Sequence, residues 1–188
     1  RWSGMSDGRS RVMLDIETLG TEPGCAIVSV GAARWSIDGV GDERLYREVS
    51  LSSCGAAGLE IDPDTLSWWG ERPASVRRAL WGGEPLAAVL ENLSDFCDGV
   101  DGGVWAKPPR FDIEILEAAY DAVDVGDPPW GHWEVCDMRA LNSLVDEGIV
   151  EVSLEDEAPD GPDHHALADA RDQARRASAI LAEVAADE

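Results

Sequence analysis

Two acidic residues in a short apolar segment are the first whose types and spacing could do chemistry. Asp15 and Glu17 lie two positions apart within Val12–Gly20. On a β-strand both side chains would project from one face, about 6.6 Å apart along the strand. Carboxylates this close among apolar neighbours repel each other unless they are protonated or bridged by a cation, and Mg²⁺ or Mn²⁺ accepts carboxylate oxygens. The segment therefore predicts a divalent-metal site, with an edge strand that turns its acids to solvent as the alternative.

Two further acids and a histidine occur near predicted helix starts. Asp112 follows Phe111 at the beginning of a helical pattern, where a cap or first-turn charge is the simpler interpretation. His164 and Asp169 lie where an acidic segment meets the last helical pattern. A histidine there could act as a general base near neutral pH, whereas a helix cap and a surface acid are the alternative.

In this order the three motifs resemble the Exo I, II and III motifs of DEDDh 3′-to-5′ exonucleases. The match spans most of the chain. Four segments are similar in more detail to the phage and actinobacterial 3′-to-5′ exoribonuclease branch, which is related to exonuclease VIII. These segments are Met13–Gly20, Ile27–Ala32, Thr65–Trp69 and Val104–Trp105.

The resemblance implies a ribonuclease H-like α/β fold, with a mixed sheet of about five strands flanked by helices. It also implies two Mg²⁺ or Mn²⁺ ions at a site that hydrolyses phosphodiester bonds. The metal ligands would be Asp15, Glu17, Asp112 and Asp169. Family spacing selects His164 as the base that takes a proton from the attacking water, and an exchange of roles with His165 stays open.

Several residues near the motifs are candidate substrate contacts. Where relatives tend to carry Gly and Asn, this chain has Ala106–Arg110, so Lys107 and Arg110 could contact phosphate or could be ordinary loop residues that aid solubility. Adjacent helical residues point about 100° apart, so either Trp68 or Trp69 is expected to face the cleft, unless both only pack. The remaining candidates are Met13, Thr18, Leu19 and Phe111.

The elements that must position these residues follow from periodicity and turn signals. Strands are predicted at Val12–Ile16, Ala26–Trp35, Leu45–Leu51 and Gly103–Ala106. Helices are predicted from Asp62 to Gly82-Gly83, from Pro85 to about Gly99, and at Phe111–Val123, Asp137–Val145 and Ala166–Ala186, with an acidic loop at Glu151–Pro162. Residues 11–186 are expected to form one domain after a flexible N-terminus, 1–10, that is partly a tag remnant.

The charge balance argues in the opposite direction from the motifs. With 38 Asp and Glu against 15 Lys and Arg, the formal net charge is -23, and Lys107 is the only lysine. Such a surface repels polyanions unless bound divalent ions or high salt offset it. A high-salt host and a high-GC genome are both consistent with this composition.

The expected function is 3′-to-5′ hydrolysis of RNA that releases nucleoside 5′-monophosphates from single-stranded or 3′-overhang substrates. DNA hydrolysis is the nearest alternative, because no identified residue reads the 2′-hydroxyl. A catalytically silent nucleic-acid-binding module and an acidic nucleic-acid mimic are alternatives of another class. A cytoplasmic protein with reduced cysteines and no membrane span is expected, and the resemblance suggests a homodimer.

Overall fold

A mixed five-stranded sheet forms the centre of the computed structural model, which describes residues 8–152 and 164–186. In chain order its strands are β1 (Arg11–Thr18), β2 (Ile27–Ser36), β3 (Gly39–Glu48), β4 (Val104–Ala106) and β5 (Val135–Asp137). The order across the sheet is β3-β2-β1-β4-β5. The first three strands are antiparallel neighbours, and β4 and β5 run parallel to β1. The predicted α/β fold with a mixed sheet is confirmed.

Helices cover both faces of this sheet. They are α1 (Leu51–Ala56), α2 (Pro63–Gly70), α3 (Ala74–Arg77), α4 (Leu86–Cys97), α5 (Pro109–Val123), α6 (Met138–Asp146) and α7 (Ala166–Ala186), with a 3₁₀ turn at Arg78–Leu80. No helix among the described residues is long and apolar enough to cross a bilayer. The four cysteines form no disulfide.

Side-chain alternation along β1 separates two hydrophobic cores. Leu14 and its alternate neighbours enter the larger core, which also contains the apolar faces of α4 and α5. Met13 enters a smaller core with Ala170 and Ala174 of α7. Asp15 and Glu17 follow Met13 on the same face of the strand, so they lie beneath the start of α7.

The sequence places most elements correctly but misses several boundaries. The helix predicted from Asp62 ends at Gly70 rather than at Gly82-Gly83, because Pro73 starts a separate short helix. The third strand begins earlier than predicted and ends at Glu48, and β5 was not predicted at all. Residues 1–7 and most of the predicted acidic loop lie outside the described residues.

A glycine in β2 lets α7 approach the sheet closely. Gly31 pairs with Asp15 on β1 and with Tyr46 on β3. A Cβ atom at Gly31 would lie 2.2 Å from the backbone carbon of Ala166 and from the backbone nitrogen of Leu167. The first turn of α7 can therefore lie against the acidic end of β1 only because position 31 has no side chain.

We expect Gly31→Ala to destabilise the protein by about 1–3 kcal/mol, because the backbone of α7 must move away from the added methyl group. Denaturant unfolding of the metal-free protein measures this change. Gly55→Ala is the matched control, since a Cβ at this helical position meets no atom within 4 Å. The control should be neutral or slightly stabilising, and equal effects in the two variants would contradict the close-approach argument.

Candidate active site

Three of the predicted acidic residues meet at one end of the sheet. Asp15 and Glu17 come from β1, and Asp169 comes from the first turn of α7. One carboxylate oxygen from each lies within 4.8 Å of the others. The structure thus brings together residues that lie at opposite ends of the sequence.

Asp112 joins this cluster from α5. Its side chain is only 2% exposed, and its Oδ1 accepts a hydrogen bond of 3.1 Å from the backbone N–H of Ile16. Ile16 lies between Asp15 and Glu17, so the bond holds Asp112 beside both acids. The carboxylate therefore contacts β1 rather than capping α5, whose N-cap residue is Pro108.

Burial raises the pKa values of all four carboxyl groups, and repulsion from the other acids of the cluster raises those of Asp15 and Glu17 further. Burial is the largest cause for Asp15, whose pKa lies well above the ordinary value, and Asp112, Asp169 and Glu17 raise it further. The pKa of Glu17 rises to about 8 through burial and then through the charges of Asp169 and Asp112. Burial raises the pKa of Asp112 to about 7, and it also raises the pKa of Asp169. The cluster is therefore stable at neutral pH only with bound protons or cations.

The donor set fits a hard divalent cation. All the clustered ligand atoms are carboxylate oxygens, which Mg²⁺ and Mn²⁺ prefer. The Oδ2 atom of Asp112 is buried and has no hydrogen-bond partner among the residues described. A buried anionic oxygen without a donor is destabilising unless a cation binds it, so this atom is consistent with a metal ligand.

Gln173 contacts the cluster from the next turn of α7. Its side-chain amide donates a 2.9 Å hydrogen bond from Nε2 to Oδ1 of Asp15. Gln173 lies four positions after Asp169, so the two side chains share one face of the helix. The bond fixes the orientation of the Asp15 carboxylate and leaves its second oxygen available to a metal ion.

The two adjacent histidines have different surroundings. The ring of His165 stacks on Tyr46 at a centroid distance of 4.2 Å, and its Nδ1 accepts a hydrogen bond from the backbone N–H of Ala168. Both histidines lie close enough to Asp169 for their charges to lower the pKa of that acid. His164 differs in being exposed and in having a positive φ of 60°. His165 is thus engaged in packing and helix capping, whereas His164 is accessible beside the carboxylates.

The two tryptophans divide as one of the sequence alternatives predicts. Trp69 is 1% exposed and donates its indole N–H to the carbonyl of Thr18, so the prediction that it contacts substrate is corrected. Trp68 is 36% exposed, and its ring meets the ring of His164 edge to face at 4.8 Å. Of these two rings, that of Trp68 is the one with a surface exposed to a ligand.

Three other proposed substrate contacts are also corrected by burial. Met13 and Leu19 have no exposed surface, because each packs in a hydrophobic core. Thr18 is 6% exposed, and its hydroxyl donates to the carbonyl of Gly20 at 2.6 Å. These side chains support the acids from within the fold and offer no apolar surface to a nucleotide.

The remaining candidates lie at the surface near the start of α5. Lys107 is exposed, and Arg110 is exposed with a weak ion pair of 3.9 Å to Glu114. Phe111 is half-buried against the larger core. The two cations can reach a ligand, and they stay predictions as phosphate contacts.

Sequence reasoning missed Gly31, Tyr46 and Gln173. An isolated glycine in an apolar strand pattern is a signal of close backbone approach, so Gly31 could have been found. The spacing of four positions between Asp169 and Gln173 was likewise visible in the helical pattern. Tyr46 gave no signal, because its role depends on the pairing of β3 with β2.

The chain belongs to a known nuclease family. Residues 10–181 match the model described as "3'-5' exoribonuclease Rv2179c-like domain". This family is consistent with the DEDD-type motifs and with the acidic cluster. A comparison with curated proteins finds no match in sequence.

Solved structures of exonucleases share the fold. A product-bound exonuclease I has a TM-score of 0.56 and 18% identity, with 95% of this chain and 43% of that chain covered. A metal-free E. coli exonuclease I complex with single-stranded DNA has a TM-score of 0.58 and 18% identity, covering 96% of this chain and 40% of that one. Cell-death related nuclease 4 has a TM-score of 0.60 and 12% identity, covering 93% and 62% respectively. The chain thus spans less than half the length of the exonuclease I structures.

We expect the metal-free protein to lose stability as pH rises from about 4.5 to about 8, because the folded state then retains protons on Glu17 and Asp112 that the unfolded chain releases. Mg²⁺ should raise the melting temperature more at pH 8 than at pH 5, because it competes with those protons. Calorimetry in EDTA and in Mg²⁺ measures both effects. A melting temperature that increases with pH in EDTA over this range would contradict the argument.

Replacement of Gln173 by leucine should weaken Mn²⁺ binding by about 10- to 100-fold, since the hydrogen bond that orients Asp15 is lost. Isothermal titration without nucleic acid measures this affinity. Glu183→Gln on the exposed end of the same helix is the control and should bind Mn²⁺ like the wild type. Unchanged affinity in Gln173→Leu would show that the amide does not position the ligand.

Proposed function

We propose that this chain is a metal-dependent 3′-to-5′ exonuclease that hydrolyses RNA from its 3′ end and releases nucleoside 5′-monophosphates. The observation that carries the proposal is the convergence of Asp15, Glu17 and Asp169 within 4.8 Å, with Asp112 buried beside them. Burial of several carboxylates together opposes folding, and their oxygen donor atoms are those that a divalent metal ion prefers. Family membership supports the same activity.

The four carboxylates would hold two Mg²⁺ or Mn²⁺ ions. When bound, such ions stabilise negative charge on a phosphodiester and make a water molecule more acidic. The chain itself fixes the ligands: Ile16 orients Asp112 through its backbone N–H, and Gln173 orients Asp15 through its amide. Two of the ligands are thus held before any ion binds.

His164 is the proposed general base. Its ring is exposed and lies beside Asp169, so a ring nitrogen can take a proton from the attacking water and release it to solvent. His165 is held by Tyr46 and by the N-terminus of α7, which supports His164 over its neighbour. The edge contact with Trp68 limits the positions that the His164 ring can take.

Substrate recognition is proposed to involve the exposed surface of Trp68. An aromatic face accepts any base by stacking, and this suits an enzyme that removes whichever nucleotide is terminal. Lys107 and Arg110 would contact phosphates from the start of α5. Membership of a 3′-5′ exoribonuclease family favours RNA as the substrate. Single-stranded DNA, which E. coli exonuclease I binds, is the second candidate.

With Mg²⁺, the protein should shorten 5′-labelled RNA stepwise from a free 3′-hydroxyl, cleave DNA of the same sequence more slowly, and spare substrates with a blocked 3′ end. Asp15→Ala should abolish hydrolysis, because it removes one of the carboxylates that would hold the metal ions. Gel analysis of the labelled products measures both results.

Asp121→Ala is the matched control for this experiment, since Asp121 is an exposed acid on α5 away from the cluster. It should retain wild-type activity, and circular dichroism should show that both variants fold. Full activity in Asp15→Ala, or internal cleavage of the RNA, would overturn the proposed function. Faster cleavage of DNA than of RNA would overturn only the substrate assignment.

A further inference from the structure

A twelve-residue stretch of this acidic chain contains only positive charge. Residues 72–83, called the arginine segment below, include Arg72, Arg77 and Arg78 and no Asp or Glu. The whole chain has 38 acids against 15 basic residues, so a stretch of this composition differs sharply from the average surface. A polyanion near the protein is therefore attracted to this segment and repelled by most of the rest.

The segment has an inner apolar face and an outer face that combines a cation with an aromatic ring. Val76 and Leu80 pack against the larger core. Ser75, Arg78 and Trp81 are all exposed, and their spacing of three places them on one side of this α and 3₁₀ turn. Trp81 is 82% exposed, which is unusual for the largest apolar side chain.

The positive charge of the segment is largely unneutralised. Among the described residues, neither Arg77 nor Arg78 forms an ion pair, and Nε of Arg77 is buried without a hydrogen-bond partner. Arg72 lies 3.9 Å from Glu71, which is at the limit of an ion pair. The next acid along the chain, Glu84, pairs with Arg47 at 3.2 Å. The exposed Arg78 and the half-buried Arg77 thus carry positive charge that no acid among the described residues neutralises.

Ring contacts connect the segment to the candidate active site. The guanidinium of Arg72 lies over the ring of Trp68 at 4.4 Å, and Trp68 in turn meets His164 at 4.8 Å. Just after the other end of the segment, the backbone of Glu84 forms a parallel β-bridge with Val49, which follows β3. The segment therefore begins at the wall of the candidate active site and is anchored to the sheet at its far end.

We propose that the arginine segment binds the single strand upstream of the 3′ end, with Arg77 and Arg78 on phosphates and Trp81 stacked on a base. This inference rests on the proposed exonuclease function. Basic side chains that follow a backbone, together with an exposed aromatic ring, are the usual means of sequence-independent single-strand binding. The acidic remainder of the surface restricts the strand to this path by repulsion.

The test compares a dinucleotide with an RNA of about 15 nucleotides, because only the longer strand extends beyond the catalytic acids. In the double variant Arg77→Gln/Arg78→Gln and in Trp81→Ala, kcat/KM on the long RNA should fall about 5- to 100-fold. Activity on the dinucleotide should be unchanged. The slope of log affinity against log salt for the long RNA should become shallower by about 1.4 in the double variant, as expected for two lost phosphate contacts.

Arg44→Gln is the matched control, since Arg44 is an exposed arginine in β3 without an ion pair among the described residues. It should behave like the wild type on both substrates. Equal losses on the dinucleotide and the long RNA would overturn the proposal, as would wild-type activity of both segment variants on the long RNA. In the second case, a change of molecular mass in Trp81→Ala on gel filtration would identify the segment as an interface between copies of the chain.

Binding distinguishes this inference from the proposed function. If the wild type hydrolyses neither substrate, the proposed function fails, yet fluorescence anisotropy of the labelled long RNA still measures the segment. Weaker binding by Arg77→Gln/Arg78→Gln but not by Arg44→Gln would then support the strand path. Equal binding by the wild type and both of these variants would overturn it.

Discussion

The free-energy cost of burying four carboxylates close together is the constraint on which the rest of this structure depends. Asp15, Glu17, Asp112 and Asp169 all have raised pKa values, mainly because burial removes their hydration. Without a cation, deprotonation of such a cluster opposes folding. When a cation is present, the same arrangement gives high affinity for it, because the carboxylate ligands are already close together. The hydrophobic cores on either side of the sheet must therefore hold the acids in a geometry that they would not adopt alone.

Close packing of α7 on the sheet is how the fold meets this constraint. Gly31 removes a side chain where the first turn of the helix crosses β2, and Ala170 and Ala174 keep the next turns close to Met13. The helix then presents Asp169 and Gln173 to the carboxylates of β1 with opposite effects. Asp169 adds repulsion that a metal must offset, whereas Gln173 donates a hydrogen bond that stabilises the charged form of Asp15.

Local rules predicted the elements of this site, and long-range packing supplied what those rules could not. Alternation placed Asp15 and Glu17 on one face of β1, and helical periodicity gave α7 with its observed bounds. The hydrogen bond between Gln173 and Asp15 joins residues 158 positions apart, and no local pattern contains such a contact. Only the order of the three motifs, interpreted through the family resemblance, placed Asp112 and Asp169 at the same centre.

The burial of the proposed contacts shows the limit of pattern-based reasoning more directly. Met13 was a candidate contact because it is close to the acids in sequence, but no local pattern shows that α7 covers that part of the strand. Likewise, the helical angle gives the rings of Trp68 and Trp69 different directions, but it does not decide whether either ring is exposed or which one is buried. That choice follows from the bond between the Trp69 indole and the carbonyl of Thr18 at the end of β1. The exposure of a side chain therefore depends on the neighbouring elements, whereas the face on which it lies depends only on its own helix or strand.

The net charge of -23 is compatible with the proposed polyanionic substrate once distance is considered. At physiological ionic strength, interactions between exposed charges are largely screened beyond about 8 Å, so the total charge influences approach more than contact. Within that distance, a strand would meet cations at the carboxylates and then arginines along residues 72–83. The acidic surface elsewhere repels a polyanion, which reduces unproductive binding. If it acts as proposed, the protein is expected to have lower overall affinity for nucleic acid but a defined path for the strand.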